Sequence, residues 1–177
     1  TISTDGRTPI YTAAEKGYVD IAELLLKHPE INVNAKATDG KTALHIAAEK
    51  IHKGTIELLL KHPEININAK DTEGKTVLYR AAEKGYKDVI ELLLKHPGII
   101  VNSALKSGAT ALFIAAQEGH KDVVDLLLKH QEINVNSVLK GDTTALFTAS
   151  SKGFTEIVSL LLKHPKIKIN FACNDGG

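Results

Sequence analysis

The sequence is poor in residues that form covalent cross-links or large aromatic cores. Its 177 residues include one cysteine, Cys173, no methionine or tryptophan, four tyrosines and four phenylalanines. One thiol cannot form an internal disulfide, which excludes a cystine-stabilised fold. The chain also lacks an Asn-X-Ser/Thr glycosylation acceptor. Both absences favour a reducing compartment, and we expect an intracellular, cytoplasmic protein.

Long apolar runs and an excess of one charge are missing as well. No apolar run approaches the roughly 18 residues that a membrane-spanning helix needs. The 22 basic and 21 acidic residues nearly cancel, so the chain has no overall field that would attract nucleic acid or an anionic lipid surface. We therefore expect no nucleic-acid partner and no membrane insertion.

A repeat with a period of 34 residues dominates the sequence. The phrase Glu-Leu-Leu-Leu-Lys-His and its variants occupy Glu23–His28, Glu57–His62, Glu91–His96, Asp125–His130 and Ser159–His164. Such a period indicates supersecondary units that bury their apolar faces by stacking on one another. The predicted single domain covers 1–177, with repeats at about 5–38, 39–72, 73–106, 107–140 and 141–174 and the start of a truncated sixth at 175–177. We expect further repeats in the parent protein.

Each repeat predicts two helices and a projecting turn. In the first repeat, Thr8 can cap a helix that has Pro9 at its first position. Gly17 suits a left-handed turn at the end of that helix. The second helix has Asp20 at its positive end and Lys27 at its negative end, which matches the helix dipole. The extended segment that follows predicts a finger between successive helix pairs.

The second repeat departs from this pattern at the turn between its helices. Ile51 stands where the other repeats have glycine, and Gly54 follows three residues later. Because β-branched residues resist positive φ, we predict a longer first helix in this repeat and a turn shifted toward Gly54.

The segments 8–14 and 42–48, Thr-Pro-Ile-Tyr-Thr-Ala-Ala and Thr-Ala-Leu-His-Ile-Ala-Ala, resemble the ankyrin motif Thr-Pro-Leu-His-x-Ala. The resemblance covers the whole chain. It implies an all-α fold, an ankyrin-repeat solenoid of stacked helix-turn-helix units with projecting β-turn fingers. Two features differ from the family: the repeat has 34 residues instead of 33, and the motif histidine is present only as His45. Aromatic residues take its place in the other repeats. We therefore expect aromatic packing to replace part of the polar link between repeats that this histidine implies for the family.

A second histidine column follows the second helices, and it allows two interpretations. A metal site is one, and a structural role at the helix end is the other. Stacked helices lie about 8–10 Å apart, whereas zinc needs ligands at about 2 Å, so we favour the structural role. The column consists of His28, His62, His96, His130 and His164.

No sequence motif for catalysis is present. The chain has no HExxH, paired Cys-x-x-Cys, Walker or GxGxxG pattern. We expect no catalytic residues, no metal, no cofactor and no enzymatic activity.

The resemblance implies a protein–protein interaction module that binds through its finger tips and the concave face of its first helices. These columns vary between repeats while the framework columns stay constant. They are basic in the first three repeats and apolar in the last two, so we expect a monomer whose partner has an acidic segment followed by an apolar anchor. The alternative is a structural spacer or scaffold segment of a larger multidomain protein. The predicted partner-binding residues are Arg7, Lys41, Lys75, Arg80, Glu83, Lys84, Leu105, Ala109, Gln117, Leu139 and Thr143.

Overall fold

The computed structural model describes residues 4–139 and 143–170. Over these residues the fold is all-α, with two short helices in each repeat and no named strand, which confirms the predicted fold class. Cys173 and the start of the sixth repeat lie outside the described residues. The helices are α1 Pro9–Lys16, α2 Val19–Leu26, α3 Ala43–Glu49, α4 Lys53–Lys61, α5 Val77–Lys84, α6 Lys87–Leu94, α7 Ala111–Gln117, α8 Lys121–Leu128, α9 Ala145–Ser151 and α10 Thr155–Leu162.

The chain divides into two compact units. The first comprises Thr1–Val77 and Glu91–Ile99, and the second comprises Leu78–Ile90 and Ile100–Gly177. In the first unit, α1 packs on α2 and α3, while α4 packs on α2 and α3. In the second unit, α7 packs on α8 and α9, while α10 packs on α8 and α9. Within each unit, two helix pairs therefore pack on each other, first helix against first helix and second helix against second helix. The single domain expected over 1–177 stays a prediction.

Threonine side chains begin the first helices, as the sequence predicts. Thr8 Oγ1 accepts from the Tyr11 N–H at 3.3 Å, and Thr110 Oγ1 accepts from the Phe113 N–H at 3.2 Å. In the second repeat the Thr42 N–H donates to Nδ1 of His45 at 3.3 Å. The side chain of the motif histidine thus caps the start of its own helix.

The turn of the second repeat contradicts its prediction. Ile51 has φ 58°, in the same left-handed region as Gly17 with φ 70°. α3 ends at Glu49, and α4 begins at Lys53, before Gly54. The prediction of a longer helix and a shifted turn is therefore wrong.

Packing on both sides of this turn explains the result. Left-handed geometry costs about 1–2 kcal/mol for a residue with a Cβ. A shifted turn would displace His52, whose Nε2 lies 3.2 Å from the Glu15 carbonyl oxygen of the preceding repeat. It would also displace Ile56 and Leu59, which are fully buried in α4. The loss of these contacts outweighs the strain at one residue.

Asparagine side chains connect the loops of successive repeats. Asn34 Nδ2 donates to the Glu64 carbonyl oxygen at 2.7 Å, and Asn34 Oδ1 accepts from the Asn66 N–H at 2.8 Å. Asn102 repeats this arrangement, accepting from the Asn134 N–H at 2.8 Å. One side chain therefore satisfies two backbone groups of the following loop. We call this column the asparagine ladder.

The histidine column stabilises the loop after each second helix. Nδ1 of His28 accepts from the Glu30 N–H at 3.2 Å, and Nδ1 of His96 accepts from the Gly98 N–H at 3.1 Å. His62, His130 and His164 make the same bond within their own repeats. These contacts give the histidines the structural role at the helix end that the sequence favours.

Replacing Ile51 by glycine should stabilise the protein. Glycine accepts positive φ without strain, so we expect the free energy of unfolding to rise by about 0.5–1 kcal/mol after the flexibility of glycine is subtracted. Gly153→Ala is the matched control, because Gly153 has φ 72° and no atom within 4 Å of an added Cβ. The control should lower the free energy by about 1 kcal/mol. Urea denaturation measures both, and a destabilised Ile51→Gly variant would contradict the interpretation.

Thr55→Val should also stabilise the chain. Thr55 is 0% exposed, and its Oγ1 has no hydrogen-bond partner among the described residues. Removing a buried, unsatisfied hydroxyl with little change of shape should raise the free energy of unfolding by about 1–2 kcal/mol. Thr110→Val, which removes an N-cap hydroxyl, should instead lower it by about 1 kcal/mol. If the two substitutions change stability in the same direction, the assignment of Thr55 is incorrect.

Candidate protein-binding surface

The projecting fingers that the structure describes in full between successive repeats are hydrogen-bonded β-turns. In the finger between the first two repeats, the Ala37 N–H donates to the Lys41 carbonyl oxygen at 2.9 Å, and the Gly40 N–H donates to the Ala37 carbonyl oxygen at 2.8 Å. Gly40 has φ 75°, and a Cβ there would lie 2.6 Å from the Thr72 nitrogen of the next finger. Glycine is therefore required both by the turn and by the close approach of adjacent fingers. We use the term finger surface for the predicted partner-binding residues on these turns and on the first helices.

Arg7 lies in an ion cluster of its own repeat. Its Nε is 2.7 Å from Asp5 Oδ2, and its Nη1 is 3.1 Å from Glu15 Oε2. The guanidinium carbon also lies 5.5 Å from the centroid of the Tyr11 ring, within the range of a cation–π contact. Burial, and next the Asp39 carboxylate, raise the pKa of Tyr11, so the phenol is uncharged at neutral pH. Two carboxylates thus accompany this cation.

The lysines of the next two repeats take part in similar pairs. Lys41 Nζ is 2.9 Å from Glu49 Oε1 and 3.4 Å from Asp39 Oδ2. Lys75 Nζ is 2.9 Å from Glu73 Oε2. Both lysine side chains are partly buried. The basic column predicted from sequence therefore consists of cations held next to acids.

In the second unit, the remaining predicted residues differ in exposure. Lys84 is exposed, while Arg80, Glu83 and Gln117 on the first helices are partly buried. The finger residues Leu105, Leu139 and Thr143 are also partly buried.

Ala109 is buried, so its side chain is not available to a partner. Its carbonyl oxygen accepts from the Leu105 N–H at 2.9 Å and closes the finger. Its contribution is therefore structural.

The two ends of the array expose apolar residues that the sequence analysis did not single out. Tyr18, Ile21 and Leu24 are exposed on α2, and Phe147 and Leu162 are exposed on α9 and α10. Phe147 and Leu162 border a groove of about 300 Å³. Each of these residues except Ile21 has the same residue type as a buried or partly buried counterpart in an inner repeat. Only its position in the first or last repeat could have indicated its exposure.

The described part of the chain contains no cluster of three or more His, Cys, Asp or Glu side chains placed to hold a metal ion. Within that same part, no helix is long and apolar enough to cross a membrane.

The comparisons with known proteins agree with this architecture. A family model described as ankyrin repeats in three copies matches residues 1–71, 28–104, 63–138 and 101–175. The crystal structure of EF0377, an ankyrin repeat protein, superposes with a TM-score of 0.84 at 27% identity, covering 92% of this chain and 83% of that one. No curated protein matches the sequence. The chain belongs to the ankyrin-repeat family, whose members generally serve as protein–protein interaction modules and are generally non-enzymatic.

Proposed function

We propose that the chain is a non-catalytic interaction module that binds a partner protein through the finger surface. The observation that carries this proposal is the hydrogen-bonded geometry of the fingers at residues 37–41, 71–75 and 105–109, each of which is closed by two backbone hydrogen bonds. A surface held in one conformation loses little entropy on binding, which favours recognition. We further propose an intracellular, cytoplasmic location, because ankyrin repeats are typically intracellular.

We propose a partner with an acidic segment and an apolar anchor. The acidic segment would contact Arg7, Lys41 and Lys75, and the apolar anchor would contact Leu105 and Leu139. Because Glu and Asp side chains already accompany the cations, a partner carboxylate must share each cation with a neighbour. The electrostatic gain is therefore modest and sensitive to salt.

The test compares two variants of equal charge. Lys41→Gln with Lys75→Gln changes the finger surface, whereas Lys61→Gln with Lys95→Gln removes the same charge near the ends of the second helices. Proteins captured from a reducing lysate by the unmodified chain should also be captured by the second variant. Their affinity for the first variant should fall by about 3- to 10-fold, with a weaker salt dependence, when measured by titration of the purified partner.

A third variant should change the affinity in the opposite direction. Glu49→Gln removes the nearer of the two carboxylates beside Lys41 and should raise the affinity for an acidic segment. Circular dichroism checks that each variant is folded. Equal affinity for all variants would refute the assigned residues, and a chain that captures no protein would favour the structural spacer.

A further inference from the structure

The turn between α3 and α4 carries an isoleucine that the fold does not need. Ile51 has φ 58°, whereas the corresponding turns of the other repeats have a glycine, which accepts this geometry without strain. Ile51 is also 43% exposed, so a large part of its side chain packs against nothing in the described chain. Strained residues cluster at functional sites. This position therefore points to a contact outside the chain.

The same turn lacks the acid that every other repeat has. Residues 50–54 include Lys50 and Lys53 and no acidic residue, and both lysines are exposed. The side chain of Lys50 forms no ion pair within the described part of the chain. The substitutions at 51 and 54 thus make one turn both more apolar and more basic than its counterparts. Gly54 stands in the column of Asp20, Asp88, Asp122 and Glu156.

Val19 of the first repeat enlarges the apolar part of this surface. It is 39% exposed, and a Cβ added to Gly54 would lie 3.1 Å from Val19 Cγ2. Val19 therefore packs on the backbone of the turn. Its column faces outward in every repeat, since its counterparts are exposed as well. These counterparts are Lys53, Lys87, Lys121 and Thr155.

Backbone contacts fix the direction of the Ile51 side chain. The Ile51 N–H donates to the Ala48 carbonyl oxygen at 3.1 Å, and the Ile51 carbonyl oxygen accepts from the Lys53 N–H at 3.0 Å. The next residue, His52, has its Nε2 at 3.2 Å from the Glu15 carbonyl oxygen. A side chain held in one place loses little entropy when a partner covers it.

We propose that this surface binds a segment of a partner protein in which an aliphatic side chain is flanked by carboxylates. We call Val19, Lys50, Ile51, Lys53 and Gly54 the turn surface, and all five belong to the first compact unit. The aliphatic side chain would cover Ile51 and Val19. One carboxylate would pair with Lys50, and the positive charge of Lys53 would attract another.

The acids nearest in sequence leave this surface positive. Glu49 is held by Lys41, whose Nζ lies 2.9 Å from Glu49 Oε1. Asp20 follows Val19, and it sets one carboxylate against the two lysines of the turn surface. An acidic segment is therefore the complementary partner.

The turn surface is separate from the finger surface. It begins where α3 ends, whereas the finger precedes the start of this helix. A helix of seven residues is about 10 Å long. The proposal therefore does not depend on the binding proposed at the finger surface.

The small apolar area favours a protein segment over a membrane. Helices that bind at a lipid surface bury a whole apolar face. Ile51 and Val19 expose only parts of two aliphatic side chains. Such an area matches one apolar side chain of a peptide.

Selection from a displayed library of short random peptides tests the proposal. The library is selected in parallel on the unmodified chain and on Ile51→Gly. Peptides with an aliphatic residue flanked by Asp or Glu should be enriched on the unmodified chain and absent from the second selection. Glycine keeps the turn and removes the side chain, so this variant should lose binding while it gains stability. A purely structural role for Ile51 would change stability alone.

Titration of a synthetic peptide with the enriched sequence then measures each residue. Ile51→Gly and Ile51→Asn both suit positive φ. Each should weaken binding by about 5- to 10-fold, since the aliphatic contact is lost. Lys50→Gln should weaken binding by about 2- to 3-fold and reduce its salt dependence.

Three control variants should bind the peptide like the unmodified chain. Ile100→Asn removes another isoleucine, which is 57% exposed in a column where three repeats have asparagine. Lys61→Gln removes an exposed lysine outside the turn. Lys41→Gln with Lys75→Gln changes the finger surface, so its result separates the two proposed surfaces. Circular dichroism checks that each variant is folded.

Two results of the peptide experiments would overturn the proposal. One is a selection that enriches no peptide of the expected pattern. The other is a peptide that binds Ile51→Gly as tightly as the unmodified chain. Sedimentation with vesicles of phosphatidylcholine and phosphatidylserine tests the membrane directly. The chain should stay in solution, and binding to the vesicles that is lost in Ile51→Gly would replace the protein partner by a lipid surface.

Discussion

The burial of each helix pair against the next is the interaction on which the rest of this structure depends. The helices have only seven to nine residues, and isolated helices shorter than about 12 residues are marginal in water. Their stability comes from neighbours. α4, which has a repeat on each side, buries Ile56 and Leu59, whereas α2 in the first repeat buries only Ala22. The same sequence phrase thus gives a core in one place and an exposed face in another.

Polar contacts fix the register in which successive repeats stack. The asparagine ladder joins the loops of successive repeats, and Nδ1 of the histidine column accepts within each loop. These bonds satisfy backbone groups that would otherwise lack partners outside the helices. On the finger side, ion pairs such as Lys41 with Glu49 hold side chains across eight residues of one repeat. The result is a surface with fixed turns, which suits recognition better than catalysis.

Local signals in the sequence predicted most of the fold but not its exceptions. Thr8 and Gly17 mark the ends of α1 because capping and positive φ are properties of single residues. Ile51 was misjudged because packing of the adjoining helices outweighs its strain. The columns of the finger surface stay a prediction from sequence position, whereas the burial of Ala109 depends on spatial neighbours and could not be predicted in that way. The exposure of Phe147 was not predictable from residue type, because Phe147 and Phe113 are identical residues in different surroundings.

Native-state hydrogen exchange tests the dependence on neighbours most directly. Amides in the inner helices α4 and α8 should open with a free energy at least about 1 kcal/mol higher than those in the outer helices α2 and α10. This gradient follows if each repeat is stabilised by the repeats beside it. Equal protection of all four helices, or higher protection at the ends, would contradict it.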